Sequence, residues 1–278
     1  MWYTKKMAKG RKTIRLYHYL TTKHAEDFFK TGELKLCDLS KSNDPNDFLP
    51  CIENAPRYPG SDMIALSYSY QYVREFAQRF PRLALCCSAK TTSSATWGHY
   101  ADCHRGVCLA FDFPISDFRL QDNVVIGNME DGALFERVLY TNRRLKIPQQ
   151  KSSEEGFIQK LISAMGYKGA DWSYEQECRL LYPVGPGLTT HITARDGLFF
   201  VNGLFKYLVG IILGVNCPLS NAYFYTLLQN VNINSYAKKS AEHIISGGNI
   251  DRAILDFETV LIKTPKFRNT DLKQLDYV

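Results

Sequence analysis

The chain has 278 residues, 45% hydrophobic and 22% charged, with a formal net charge of +6. That length buries a sizeable core, and that composition excludes a disordered or fibrous chain. There is no run of about 18 apolar residues to span a membrane, and the N-terminus lacks the apolar stretch of a secretory signal, so a cytoplasmic protein with no membrane contact is expected. Residues 1–12, with KKMAKGRK, read as a solvated, flexible basic arm. Residues 13–278 read as a single α+β domain, because no composition shift or repeat divides them.

TIRLYHYL (Thr13 to Leu20) is a predicted strand with Ile14, Leu16, His18 and Leu20 on one face. TTKHAEDFFKTGE is a helix, capped by Thr21 or Thr22 and closed by Gly32 in the left-handed conformation. LKLCDL is a short strand, and SKSNDPNDFLP is turn chemistry. Residues 61–80 form an amphipathic helix ending at Pro81. RLALCCSA, GVCLAFDF and LFERVLYT are strands, with a loop and short helix at SSATWGHYAD. SSEEGFIQKLISAM is a helix, and SYEQECRLLYP, LFFVNG and YLVGIILGVN are strands. LSNAYFYTLLQN is a helix; VNINSYAKK and AILDFETVLI are late strands around a helix-turn at AEHIISGGNID. Strands dominate without a regular βαβ rhythm, which favours α+β over a doubly wound sheet.

Three stretches concentrate chemistry. In SYEQECR, strand alternation puts Glu175, Glu177 and Arg179 on one face and Tyr174, Gln176, Cys178 and Leu180 on the other. Either Arg179 pairs with a glutamate on an exposed face, which is worth little, or the acids sit at the mouth of a pocket. In LYHY, His18 taken alone reads as a core histidine. WGHYADCHRGVCLAFDF gathers Trp97, His99, Tyr100, Asp102, Cys103, His104 and Cys108. Its His and Cys spacing does not match a zinc site, since adjacent Cys103 and His104 suit one tetrahedron poorly, and no metal is expected. The chain has no G-x-G-x-x-G and no Walker sequence. Most of its eight cysteines (Cys37, Cys51, Cys86, Cys87, Cys103, Cys108, Cys178 and Cys217) are expected as free thiols acting as small buried hydrophobes.

Taken together, LYHY, NDPND, WGHYADCHRGVCLAFDF and WSYEQECR resemble a bacterial family of unknown function that phages and mobile elements also carry. Its pattern is LYHYT, then NDPfD, then W-x-HYA-x-x-H-x-G-x-C-x-x-F, then W-x-YE-x-E-x-R. The same landmarks resemble, more remotely, the ADP-ribosyltransferase fold. That resemblance implies two small packed β-sheets, flanked by helices, gripping NAD in a central cleft. It implies His18, Tyr100 and Glu177 as the site, with His99 and His104 as alternatives at the middle position and Glu175 as a second acid. Glu177 would stabilise the oxocarbenium-like ribose as the nicotinamide bond breaks, and Glu175 would orient or deprotonate the acceptor. His18, Tyr19, Tyr100, His104 and Arg179 would surround the dinucleotide, Arg179 meeting phosphate or orienting Glu177. The acceptor would be a protein or a nucleic acid, and the biological setting a toxin or phage-defence effector. Arginine-directed members carry Arg where this chain has His18, and a Ser-Thr-Ser strand that TTSSATW does not match, which leaves the acceptor open. Two other classes compete: a non-catalytic nucleotide- or nucleic-acid-binding module, and a His/Glu-dependent hydrolase or nuclease.

Overall fold

A computed structural model describes residues 5–6, 12–42, 44, 47, 51–52, 82–121, 123–147, 166–183, 191–256, 258–259 and 261–264. The helices expected at 61–80 and in SSEEGFIQKLISAM, and most of the NDPND turn, lie outside the described residues. The main strands are β1 (Lys12–Leu20), β2 (Arg82–Ser88), β3 (Val107–Gln121), β4 (Val124–Met129), β5 (Leu134–Arg137), β6 (Glu177–Pro183), β7 (Leu208–Leu213) and β8 (Ile250–Arg252). The helices are α1 (Thr22–Thr31), α2 (Ser94–Tyr100), α3 (Asn221–Gln229) and α4 (Ser235–Gly247).

The expected mixture of helices and strands is present. Instead of two packed sheets, the main strands form one sheet that closes on itself. β3 pairs with β1, β1 with β2, β2 with β6, β6 with β5, β5 with β4, and β4 returns to β3, all antiparallel. Closure into a six-strand barrel leaves no free edge in that ring. The 15-residue β3 makes it possible: its first half pairs with β1 and β7, its second half with β4. β8 extends the sheet parallel to β7, and Lys5–Lys6 pair with Arg119 and Leu120.

The strands form because their apolar residues recur with period two or in unbroken buried runs. Leu109, Phe111, Phe113, Leu180 and Ile211 are all fully buried. α1, α3 and α4 cover the sheet with Phe28, Phe29, Phe224, Ala237 and Ile244. Phe28 stacks on Phe205 at 5.0 Å between ring centroids. Each of the phenylalanine and isoleucine side chains contributes about 1.5–3 kcal/mol through burial. α1 matches its expected caps: the Thr21 side chain accepts from His24 N, and Gly32 closes it at φ 75°.

Three expectations need correction. First, SYEQECRLLYP is not one strand. Ala170–Glu175 form a 3-10 helix, Gln176 turns left-handed at φ 46°, and only then does β6 begin at Glu177. Glu175 and Glu177 therefore do not share a strand face. Second, VNINSYAKK is not a strand: its first residues are irregular and helix begins at Ser235. Asn234 caps α4 by accepting from Ala237 N at 2.9 Å, and Ala237, Ala241 and Ile244 bury one helical stripe. Third, AILDFETVLI is a tight hairpin in which Ile254–Leu255 pair with Ile262–Lys263. Asp256 reverses the chain by accepting from the backbones of Glu258 and Thr259.

Candidate active site

The ring has one weak seam. β1 and β2 share a single pair, Tyr17 with Ser88. Beside it opens a cavity of about 340 Å³. His18 fills a gap in the ladder: its Nδ1 lies 2.8 Å from the carbonyl of Cys86. A carbonyl only accepts, so Nδ1 carries the proton. Burial lowers the His18 pKa, which keeps the ring neutral at pH 7 and leaves Nε2 as an acceptor.

Tyr100 reaches the same cavity from the end of α2. Trp97, fully buried, anchors that helix by donating to the Thr91 carbonyl at 2.8 Å and packing edge-on to Tyr19 at 5.0 Å. Beyond the helix, Asp102, Cys103 and His104 follow with φ of 46°, 52° and 67°. Gly106 then passes so close to β1 that a Cβ there would meet the Leu20 carbonyl oxygen at 2.1 Å. The HRG segment is thus a turn that delivers α2 to β3. His104 accordingly lies outside the cavity lining, with its Nε2 3.5 Å from Ser94 Oγ. His99 is exposed, and its Nδ1 lies 2.9 Å from the Tyr174 hydroxyl. Of the three candidates for the middle position, the cavity takes Tyr100.

The two acids arrive by different routes. The carbonyls of Tyr174 and Glu175 accept from Thr96 Oγ1 and Ser88 Oγ, which pins the 3-10 turn against α2 and β2. Glu177, the first residue of β6, donates its backbone N–H to the Tyr140 hydroxyl at 2.7 Å. Lys168, which no sequence pattern marks, joins the two carboxylates. Its ammonium lies 2.6 Å from Glu175 Oε2 and 3.1 Å from Glu177 Oε2, and 4.8 Å from the centre of the Trp172 ring. Tyr100 donates its hydroxyl proton to Glu175 Oε1.

Arg179 is fully buried and does not line the cavity. Its guanidinium donates to Glu177 Oε1 at 3.0 Å and Oε2 at 3.1 Å, and to Asp47 Oδ2 at 2.7 Å. This geometry orients Glu177 and keeps the Arg179 guanidinium off the cavity wall, away from where a phosphate would sit. Asp47, in the NDPND motif, is the partner that sequence reading left without a role.

The acids have opposite electrostatics. Burial alone would raise the Glu177 pKa, but Arg179 and then Lys168 outweigh it and hold the carboxyl at about 2. Burial raises the Glu175 pKa above the usual carboxylate range despite Lys168 and Tyr100. A fixed anion thus stands beside an acid that exchanges its proton more readily, a division of labour typical of acid–base sites. The lining also includes Tyr19, Cys37, Cys86, Ser88 and Thr96. Among the described residues, no three of His, Cys, Asp and Glu are gathered as metal ligands, and no helix is long and apolar enough to cross a membrane.

No curated protein and no solved structure matches the chain significantly. Residues 96–180, the span that carries Tyr100, Lys168, Glu175, Glu177 and Arg179, match the family DUF2971, described as a protein of unknown function.

Proposed function

We propose that the cavity binds NAD and breaks its nicotinamide–ribose bond, making the protein an ADP-ribosyltransferase-like enzyme that acts on a protein or nucleic-acid acceptor. The observation that carries this reading is the meeting of His18, Tyr100, Glu175 and Glu177, from three separate segments, around one cavity. Its volume of about 340 Å³ suits the nicotinamide riboside half of a dinucleotide. Glu177, fixed in its ionised form, would stabilise positive charge developing on the ribose. Neutral His18 would accept from a ribose hydroxyl through Nε2. Tyr100 and Tyr19 supply ring faces for nicotinamide. Glu175 would take the proton of the attacking acceptor.

The ion network favours a second reading. Both Glu177 oxygens are occupied by Arg179 and Lys168, as in a binding module whose acids only hold its wall together. Incubation with NAD labelled in the nicotinamide ring separates the two. The enzyme reading expects labelled nicotinamide to be released, with at least a tenfold loss in Tyr100→Phe and in Glu177→Gln. Tyr100→Phe guards against misfolding, because it removes one hydroxyl and keeps the ring. NAD binding without release, across protein and nucleic-acid acceptors, would leave the module reading. Neither binding nor release would overturn both.

A further inference from the structure

The cavity wall holds a chemistry that NAD cleavage does not use. Cys37 and Cys86 both line it, close enough for each thiol to shift the other's pKa. They come together because Cys37–Asp38 pair antiparallel with Leu83–Ala84, so Cys86 stands two residues further along the face that Cys37 meets. Both are partly accessible, whereas Cys87, Cys108, Cys178 and Cys217 are buried.

We infer that Cys37 and Cys86 are a modification site, a thiol pair that a hydroperoxide entering the cavity oxidises to a disulfide. The Cys37 thiolate attacks the hydroperoxide; an S–O bond forms, the O–O bond breaks, and the departing oxygen leaves as an alcohol, or as water from hydrogen peroxide. Cys86 then attacks the Cys37 sulfenic acid; the S–S bond forms and the hydroxyl leaves as water with the Cys86 proton. Two thiols and one hydroperoxide give one disulfide, one alcohol and one water.

The roles follow from the surroundings. The neighbouring Cys86 thiol lowers the Cys37 pKa against the effect of burial, and the Arg179 charge adds to it. The same contact, together with burial, raises that of Cys86. Cys37 is therefore the attacking thiolate and Cys86 the resolving thiol. A second pair serves as an internal contrast. Cys87 and Cys178 stand directly opposite each other across β2 and β6. Both are buried and both thiols are pushed up, Cys178 to about 12. The pair opposed in register is thus the inert one. Oxidation at Cys37 would tether the segment carrying Leu39, Lys41 and Ser42, which lines the same cavity. This inference stands apart from NAD use, and its test needs none.

The reduced full-length protein is treated with hydrogen peroxide, its free thiols are alkylated, and it is cleaved with trypsin. Cys37 falls in peptide 36–41, Cys86 and Cys87 share peptide 83–90, and Cys178 falls in 169–179. The expected product joins 36–41 to 83–90, is reversed by dithiothreitol, persists in Cys87→Ser and is lost in Cys37→Ser and in Cys86→Ser. A link between 83–90 and 169–179, or oxidation confined to exposed Cys103 with no cross-link, would overturn the inference.

Discussion

The two faces of β6 are built on opposite principles. Cys178, Leu180 and Tyr182 turn one face into the apolar core. Glu177 and Arg179 turn the other into a buried ion network with Asp47 and Lys168. Both faces are equally dry: Leu180 and Arg179 are each fully buried. The difference lies in what offsets the loss of water. On the apolar face burial is itself the stabilising term. On the ionic face burial costs free energy, and only complete pairing offsets it. The apolar face therefore tolerates trimming in proportion to volume, while the ionic face fails abruptly when one member is removed.

The largest expected effect is on the ionic face. Arg179→Ala leaves Asp47 buried without its cation and Glu177 with Lys168 alone, and should cost about 3–5 kcal/mol, read as a drop in the urea midpoint. If Arg179→Ala costs no more than a surface substitution, the network does not hold the site. On the apolar face, Leu180→Ala should cost about 2–5 kcal/mol, set by the cavity left behind. Under the proposed NAD cleavage, nicotinamide release per folded molecule should survive it. Loss of release without loss of stability in Leu180→Ala would erase the distinction between the faces.

Lys168→Met comes next, at about 1–3 kcal/mol for two carboxylates stripped of a shared donor. Thermal unfolding measures it, and a change no larger than that of an exposed lysine would remove Lys168 from the network. The smallest effect is expected from Glu175→Gln, within about 1 kcal/mol at neutral pH. Its sign follows from linkage. Glu177 has a depressed folded pKa, so its contribution is complete above the unfolded carboxylate value of about 4.3 and is lost as pH falls towards 2. Glu175 has a raised folded pKa, so its burial destabilises at neutral pH and is relieved as pH falls through that raised value. In urea midpoints against pH, Glu175→Gln should flatten the gain on mild acidification and leave the loss below about pH 4.3 intact. The reverse pattern would exchange the two roles.

Much of the scaffold was legible because it follows local periodicity. The first strand, α1 with both its caps, and the apolar strands at RLALCCSA and GVCLAFDF need only alternation and capping chemistry. His18, Tyr100, Glu175 and Glu177 were legible as candidates through the motifs around them. What stayed hidden is tertiary. Lys168 sits in an unremarkable YKG, and its role exists only because Leu139–Tyr140 pair with Tyr167–Lys168 and carry it to the acids. Alternation also cannot register a left-handed Gln176, which is why Glu175 was assigned to the strand. In VNINSYAKK, the apolar Val231 and Ile233 mimic period two, while Asn234 begins a helix behind them. The barrel itself depends on β3 bending from one partner strand to another, a long-range event that no window of residues encodes.

The central physical claim is that two carboxylates sharing one ammonium have pKa values shifted in opposite directions, Glu177 lowered by Arg179 and Lys168 and Glu175 raised by burial. Carbon-13 NMR of the glutamate side-chain carboxyls, titrated from pH 8 downward and assigned with Glu175→Gln, tests it directly. The expected result is two separate transitions, Glu175 above the ordinary carboxylate range and Glu177 still ionised well below it. Two carboxyls titrating together near the ordinary value of about 4.3 would contradict the account.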